Sequence, residues 1–373
     1  MFCKNLKEMK QVLFIRYRKS GNIDAGGEQV ANANYLALCR IFGEENVTVY
    51  HIHEKQNKIK VLLSGISILI NFLKGYYYGL SPKKVDKIVS LAASFPYVFI
   101  DRSIFGILAK ALRNKEYKGK IITFFHNVEP VYFEAKIGKN KPWCSIVVDC
   151  VAKNDQQACD YSDIIIALNK RDKQEIEQRY HRIPDILSPV VFKDTYKQET
   201  YPEGNTDTVP VCLFLGTYFP MNVRGILWFV HEVLPHVNIR LLIVGKGMKA
   251  ILPTVGKYNN VEVFSDVPNL KPYIEKADFM LLPIFEGSGM KVKTCEALMY
   301  GKNIIGTTEA FEGYEVAFDK VGACCNTKEE FIATLNRVSA HPVPKFNRYA
   351  RETFVNNYSE EEKIKRFKEV FQL

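Results

Sequence analysis

The stretch Phe279-Met-Leu-Leu-Pro-Ile-Phe-Glu-Gly-Ser-Gly-Met-Lys-Val-Lys-Thr-Cys-Glu-Ala-Leu298 passes from strand to glycine turn to helix in one short run. Phe279 to Ile284 is almost continuously apolar, the pattern of a strand buried on both faces. Gly287-Ser288-Gly289 follows, and Met290 to Tyr300 reads as a helix with two lysines and a glutamate near its start. Glycines let backbone N–H groups approach a phosphate, and a helix N-terminus attracts anions. Lys291 and Lys293 add full positive charge, and Glu296 is placed to accept hydrogen bonds from sugar hydroxyls. These parts suit a nucleoside diphosphate. The spacing is neither that of a Walker loop nor G-x-G-x-x-G, so a nicotinamide dehydrogenase is a poor reading.

The same alternation extends outward in both directions. Strand candidates in the first half are Gln11–Tyr17, Val47–Ile52, Tyr97–Asp101, Lys120–His126, Ile164–Leu168 and Asp185–Pro189. Helical patterns lie between them at Glu28–Phe42, Lys83–Ser94, Ile104–Arg113, Pro142–Asp160 and Lys170–Tyr180. In the second half, Val211–Gly216, Ile239–Gly245, Val261–Ser265, Phe279–Ile284 and Asn303–Thr307 read as strands. Helices are expected there at Val223–Leu234, Leu270–Lys276, Met290–Tyr300 and Lys328–Ser339. Alternating β and α with apolar strands predicts parallel sheets covered on both faces. The polar stretch Phe192–Pro210 reads as a linker. The expected organisation is an α/β chain with Rossmann-like domains at 1–191 and 207–345, and at 346–373 a terminal amphipathic helix or kinked pair able to pack back on the first domain. Two doubly wound domains facing across a cleft bind ligands in loops at the C-terminal ends of their strands.

Composition bounds the alternatives. The chain has 373 residues, 47% hydrophobic and 25% charged, as in a soluble globular protein of two domains. No run reaches the length of a membrane span, and the first ten residues lack the apolar core of a secretory signal, so a cytoplasmic location is expected. The nine cysteines form no C-x-x-C and read as buried free thiols. The net charge of +10 is unevenly placed: residues 1–190 carry 29 Lys and Arg against 19 Asp and Glu, whereas residues 191–373 carry 22 of each. A basic half suits an anionic substrate or membrane surface, or is simply a solvated face. Ile59–Tyr78, apolar and bordered by lysines, reads either as a core helix or as a membrane-facing one.

Four places together resemble the retaining GT-B glycosyltransferases of family 4, glycosyl transferases group 1. They are Asp24-Ala-Gly-Gly-Glu28; Phe124-Phe-His-Asn-Val-Glu129; Leu213-Phe-Leu-Gly216 with Asn222-Val-Arg-Gly-Ile-Leu-Trp-Phe229 and Leu241-Leu-Ile-Val-Gly-Lys-Gly247; and the opening stretch with Gly301-Lys-Asn-Ile-Ile-Gly-Thr307 behind it. The opening stretch looks like a subgroup with G-S-G-x-K-x-K before the second glutamate. Two departures stand out. Glu286 and Glu296 are separated by nine residues where many members have seven, and Met221 occupies the usual lysine position before Asn222.

The resemblance implies transfer of a sugar from a nucleotide-diphosphate sugar to a glycan or lipid-linked acceptor, in surface polysaccharide synthesis. It implies no bound metal, in keeping with the lack of any D-x-D, and nothing points to nucleic acid. By that likeness Glu296 holds ribose, while Gly287, Ser288, Gly289, Met290, Lys291 and Lys293 hold diphosphate. Arg224 shares the charge role of the missing lysine, beside Asn222, and Glu286 is the counterpart of the first glutamate. His126 lies near the transferred sugar, with Asn127 and Glu129 in a loop after it; its other reading is a structural histidine closing a strand. Gly26 and Gly27 either start a helix or allow close approach to phosphate. Gly216 and Gly245 either leave room for the nucleotide or simply allow turns, and the Val267 backbone passes the base. Lys293, His126 and Glu286 are the catalytic candidates. A GT-B nucleotide-sugar epimerase and a non-catalytic nucleotide-sugar-binding protein are the competing readings.

Overall fold

The computed structural model describes residues 11–18, 26–53, 65–77, 79–138, 143–197, 209–287 and 289–372. The chain divides into two compact units, Met1–Val191 with Glu360–Leu373, and Phe192–Ser359.

In the first unit, β1 (Val12–Arg18), β2 (Val47–His53), β3 (Tyr97–Ile100), β4 (Lys120–Phe124), β5 (Ile164–Ala167) and β6 (Ile186–Leu187) form one sheet. Its order is β2-β1-β3-β4-β5-β6, and every pairing is parallel. The winding reverses between β1 and β3, so the loops leaving these strands diverge and open a crevice at their C-terminal ends. Period-two alternation sorts the side chains. Leu13, Ile15, Val98 and Ile100 join a core cluster with Phe105 and Leu108. Phe14, Phe99 and Phe124 are also fully buried, and Phe14 is in register with Phe99, their rings 5.6 Å apart. The helix Glu360–Phe371 brings Phe367 to 5.7 Å from Phe99 and sets Phe371 edge-on to Phe42 and Tyr97. Each such phenyl withdrawn from water contributes roughly 1.5–3 kcal/mol.

The expected terminal segment 346–373 is therefore split. The helix Arg348–Asn357 stays with the second unit, where Tyr358 packs on Tyr314 and Arg351 donates to the Met299 carbonyl. Only Glu360 onward belongs to the first.

In the second unit, β7 (Val211–Leu215), β8 (Arg240–Gly245), β9 (Val261–Ser265), β10 (Phe279–Leu282), β11 (Asn303–Gly306) and β12 (Gly322–Cys324) pair in the order β12-β11-β10-β7-β8-β9, all parallel. Here the reversal lies between β7 and β10. Phe214, Leu241, Ile243 and Leu281 pack against Phe229, Phe331 and Leu335 in one core. β12, a short edge strand, was not expected from its Gly322-Ala-Cys324 sequence.

Three other expectations change. The helix expected at Val223–Leu234 begins at Pro220, whose fixed φ suits a first turn. It passes into a π turn, Phe229–Val233, and a 3-10 turn containing Pro235, which has no N–H to continue an α ladder. Glu129, expected in a loop, is the first residue of the helix Glu129–Ile137, again with proline in the first turn. Within Ile59–Tyr78 the described helix is Gly65–Leu73; 54–64 and Tyr78 lie outside the described residues. Among the described residues no helix is long and apolar enough to cross a membrane. The eight described cysteines are free thiols, six of them buried.

Candidate active site

β7 and β10 are neighbours across the reversal, and the residues read from the opening stretch gather at their C-terminal ends. A Cβ on Gly225 would lie 1.9 Å from the Pro283 carbonyl oxygen, so only glycine lets the helix Pro220–Trp228 press against the end of β10. That contact carries Asn222 to Lys293. Asn222 Nδ2 donates to the Thr217 carbonyl at 3.0 Å, which leaves Oδ1 to accept from Lys293 Nζ at 2.8 Å. The same ammonium sits 4.8 Å from the centre of the Phe214 ring. The lysine missing before Asn222 in the sequence is thus replaced, beside Asn222, by Lys293 from the helix Val292–Met299.

Lys293 and Glu296 are half-buried. Burial pushes the Lys293 ammonium down to about 7, with Lys291 acting in the same sense and Glu296 opposing. Burial raises the Glu296 carboxyl to about 7, with Lys293 pulling it back. A cation and an acid that both titrate near neutrality, at a helix start, make a place where an incoming anion is strongly rewarded.

Lys291, expected at the diphosphate, has partners of its own in this structure. Its ammonium pairs with Glu309 at 2.6 Å and donates to the Gly289 carbonyl at 2.8 Å. Gly287 (φ 153°) and Gly289 (φ 65°) adopt backbone angles that disfavour other residues, and a Cβ on Gly287 would stand 3.0 Å from the Lys291 stem. Lys291 therefore shapes the loop that Lys293 adjoins. Ser288 lies outside the described residues. Met290 is buried in the interior. Glu286 pairs with Arg224, both more than half exposed, so the two candidates are brought together at the rim. Gly245 makes room for neighbouring backbone: its Cβ would meet the Gly216 carbonyl oxygen at 1.9 Å. Val267 follows Asp266, whose left-handed φ of 58° is supported by Gly247 N–H donating to its carboxylate at 3.3 Å. Glu309, and Tyr314, which donates to the Lys291 carbonyl at 2.8 Å, were missed in the sequence. An acid just beyond β11 was the available signal for Glu309.

The first unit has a separate polar group at the ends of β3 and β4. His126 is buried, with Nε2 3.3 Å from Asp101 Oδ1, the oxygen that also accepts from Asn34 Nδ2 at 2.7 Å. His126 Nδ1 and Asp101 Oδ2 are buried without a hydrogen-bond partner. Burial pushes the imidazole below its usual value, against the pull of Asp101. His126 is thus neutral near pH 7. With Nε2–H directed at Asp101, Nδ1 is left to accept from a hydroxyl. Glu129 is buried, raised to about 7 by burial, and its backbone N–H donates to Asp155 at 3.0 Å. Asp155 is also raised by burial and takes the Tyr180 hydroxyl at 3.3 Å. Asn127 is half-buried between His126 and this helix start. Gly26 and Gly27 open the helix Gly26–Phe42, and a Cβ on Gly27 would lie 2.4 Å from the Arg102 guanidinium. The space at Gly27 is filled by Arg102, a cation the sequence reading passed over. Glu28 is tied to Arg16 and Arg18. An open hollow lined by Arg113, Tyr117, Lys120 and Asp163 lies at the N-terminal ends of β4 and β5, the opposite end of the strands from these groups.

Residues 209–341, all within the second unit, match the family model described as glycosyl transferases group 1. No curated protein matches the chain. Among solved structures, the lipopolysaccharide outer core galactosyltransferase WaaB in its apo form is similar, with TM-score 0.65 and 17% identity over 97% of this chain and 99% of that one. Anabaena HepE in complex with UDP and glucose gives TM-score 0.65 and 12% identity over 97% and 99%. Sucrose-phosphate synthase from Thermosynechococcus elongatus gives 0.67 and 12% over 97% and 98%. At these identities the likeness is one of fold. The chain has the GT-B fold, two Rossmann-like units each built on a parallel sheet.

Proposed function

We propose that the protein is a retaining glycosyltransferase that moves a hexose from a nucleotide-diphosphate sugar to a glycan or lipid-linked acceptor in cell-surface polysaccharide synthesis, at the cytoplasmic face of a membrane. The observation that carries the reading is the Lys293–Asn222 contact beside Glu296, at the reversal point of the sheet that matches the glycosyl transferases group 1 model. UDP-sugars are the first donors to test, because HepE has been solved with UDP-glucose.

Breaking the bond between the sugar and the diphosphate leaves negative charge on phosphate oxygen. Lys293 and the N-terminus of the helix Val292–Met299 meet that charge, and donors already in place lower the barrier because they need not reorganise. Glu296 accepts from ribose hydroxyls. The acceptor hydroxyl forms the new bond on the face the diphosphate leaves, and the departing phosphate oxygen takes its proton, so the configuration is retained without a protein base. His126 Nδ1 accepts from a hydroxyl of the transferred sugar. No metal is required, and transfer should survive excess EDTA. Incubation of the protein with labelled UDP-hexoses and membrane extract tests the reading. Transfer of label supports it; donor turnover without acceptor favours an epimerase, and binding without turnover favours a binding protein.

Membrane contact rests on the first unit. Leu69, Ile70 and Leu73 are exposed on the helix Gly65–Leu73, which is followed by exposed Lys74. All of the net charge of +10 lies in residues 1–190. Such a face binds anionic lipid in a salt-dependent way. Co-sedimentation with anionic vesicles at low salt, lost in Leu73→Ser, is the expected result; no sedimentation overturns this part.

A further inference from the structure

The helix Glu360–Phe371 buries Glu360, Lys363, Phe367, Val370 and Phe371. That spacing marks the apolar stripe by which it covers the aromatic face of the first sheet. Lys363 is out of place in such a stripe: its side chain is 1% exposed. A buried ammonium persists only with acceptors around it, and these are present. Lys363 Nζ donates to Asn34 Oδ1 at 2.9 Å and to Ser188 Oγ at 3.1 Å. It lies 5.0 Å from the centre of the Phe124 ring and 5.1 Å from that of Phe367.

The bond to Asn34 has a directional consequence. An amide whose oxygen is held by an ammonium must present its NH2 the other way, and Asn34 Nδ2 donates to Asp101 Oδ1 at 2.7 Å. That carboxylate oxygen is the one facing His126 Nε2. Three side chains from distant parts of the sequence thus link the last helix to His126. We propose that Lys363 is a positioning residue: through Asn34 and Asp101 it fixes the orientation and tautomer of His126, keeping Nδ1 as the acceptor.

This inference rests on the role given to His126 above, but its test does not. The charged groups facing His126 are Asp101, Arg102 and Lys363, and those facing Lys363 are Asp101 and Arg366. Burial holds the Lys363 ammonium down at about 7, with Asp101 opposing. Removing Nζ takes away a cation and frees Asp101 to pair with imidazolium, so the His126 pKa rises.

The experiment is long-range 1H–15N correlation of the histidine rings in the full chain, titrated from pH 5 to 8.5, with kcat/KM over the same range. Wild type should show His126 as the Nε2–H tautomer. Lys363→Met should mix the tautomers and raise the His126 midpoint by about one pH unit, the low end of a single neighbouring-charge effect. The acid limb of kcat/KM should move by the same amount. Asn34→Leu, which cuts the chain in the middle but leaves the cation in place, should mix the tautomers as well and raise the midpoint by a smaller amount. Ser188→Ala, which removes the partner of Lys363 that lies off the path, should not. If Lys363→Met fails to fold, the contrast between Asn34→Leu and Ser188→Ala decides. Equal effects of those two, or no change in tautomer or midpoint in a folded Asn34→Leu, would overturn the proposal. If ring signals respond as expected but no nucleotide sugar is turned over, the relay stands and the transferase reading falls.

Discussion

The two units both place polar groups at the C-terminal ends of a parallel sheet, and build them in opposite ways. In the second unit, the charged groups follow one another along the chain. Gly287, Gly289, Lys291, Lys293 and Glu296 lie in one loop and helix start, and Lys293 keeps some exposure. In the first unit, Asn34, Asp101, His126 and Lys363 come from four separate elements, and all four are buried. A site that must meet a diphosphate needs accessible charge, and a loop before a helix supplies it locally. A group that must offer one neutral acceptor needs fixed orientation, which distant elements enforce by packing.

The sharpest way to break this contrast is to remove charge from the second unit. Lys293→Met should lower kcat by about 10²–10³-fold, the usual cost of losing one donor to a developing oxyanion. It should also weaken nucleotide binding, as read by calorimetry. His126→Ala should reduce kcat/KM by roughly tenfold, about the value of a single hydrogen bond to a neutral group, while leaving UDP affinity unchanged. If His126→Ala weakened UDP binding as much as Lys293→Met does, the division of labour would be wrong.

A pH series sharpens the same point. Lys293 in the free protein sits at about 7 rather than 10.5, so above neutrality it is largely unprotonated. A bound diphosphate favours the ammonium, so binding takes up a proton there. Affinity should fall as pH rises above about 7, by up to tenfold per unit. Calorimetry in buffers of different ionisation enthalpy checks the proton uptake. The smallest effect belongs to the rim: Arg224→Ala breaks an exposed pair with Glu286 and should change stability by less than about 1 kcal/mol.

The contrast also explains what could be read in advance. The α/β alternation was legible because each strand is buried on both faces and each helix is periodic. The second site was legible because its residues are contiguous. The Lys293–Asn222 contact was not, since the two are 71 residues apart and meet only because Gly225 admits Pro283. Glu129 was misplaced although Val128-Glu-Pro130 carried a helix-start signal. Asn34 and Lys363 gave one clue each, a polar residue on an apolar stripe. Periodicity marks such residues as buried, but which partner each finds is a matter of tertiary packing.

For the proposed transfer the second unit must hold a nucleoside diphosphate through Lys293 and Glu296. A titration of the full-length protein with UDP, followed by thermal unfolding, tests it most directly, since a ligand that binds only the folded state at 100 times its Kd stabilises by about 2.7 kcal/mol. Tm should rise with UDP concentration, an effect that Lys293→Met and Glu296→Gln remove and His126→Ala preserves. A Tm indifferent to UDP and to the other nucleoside diphosphates, or a rise that survives both substitutions, would contradict it.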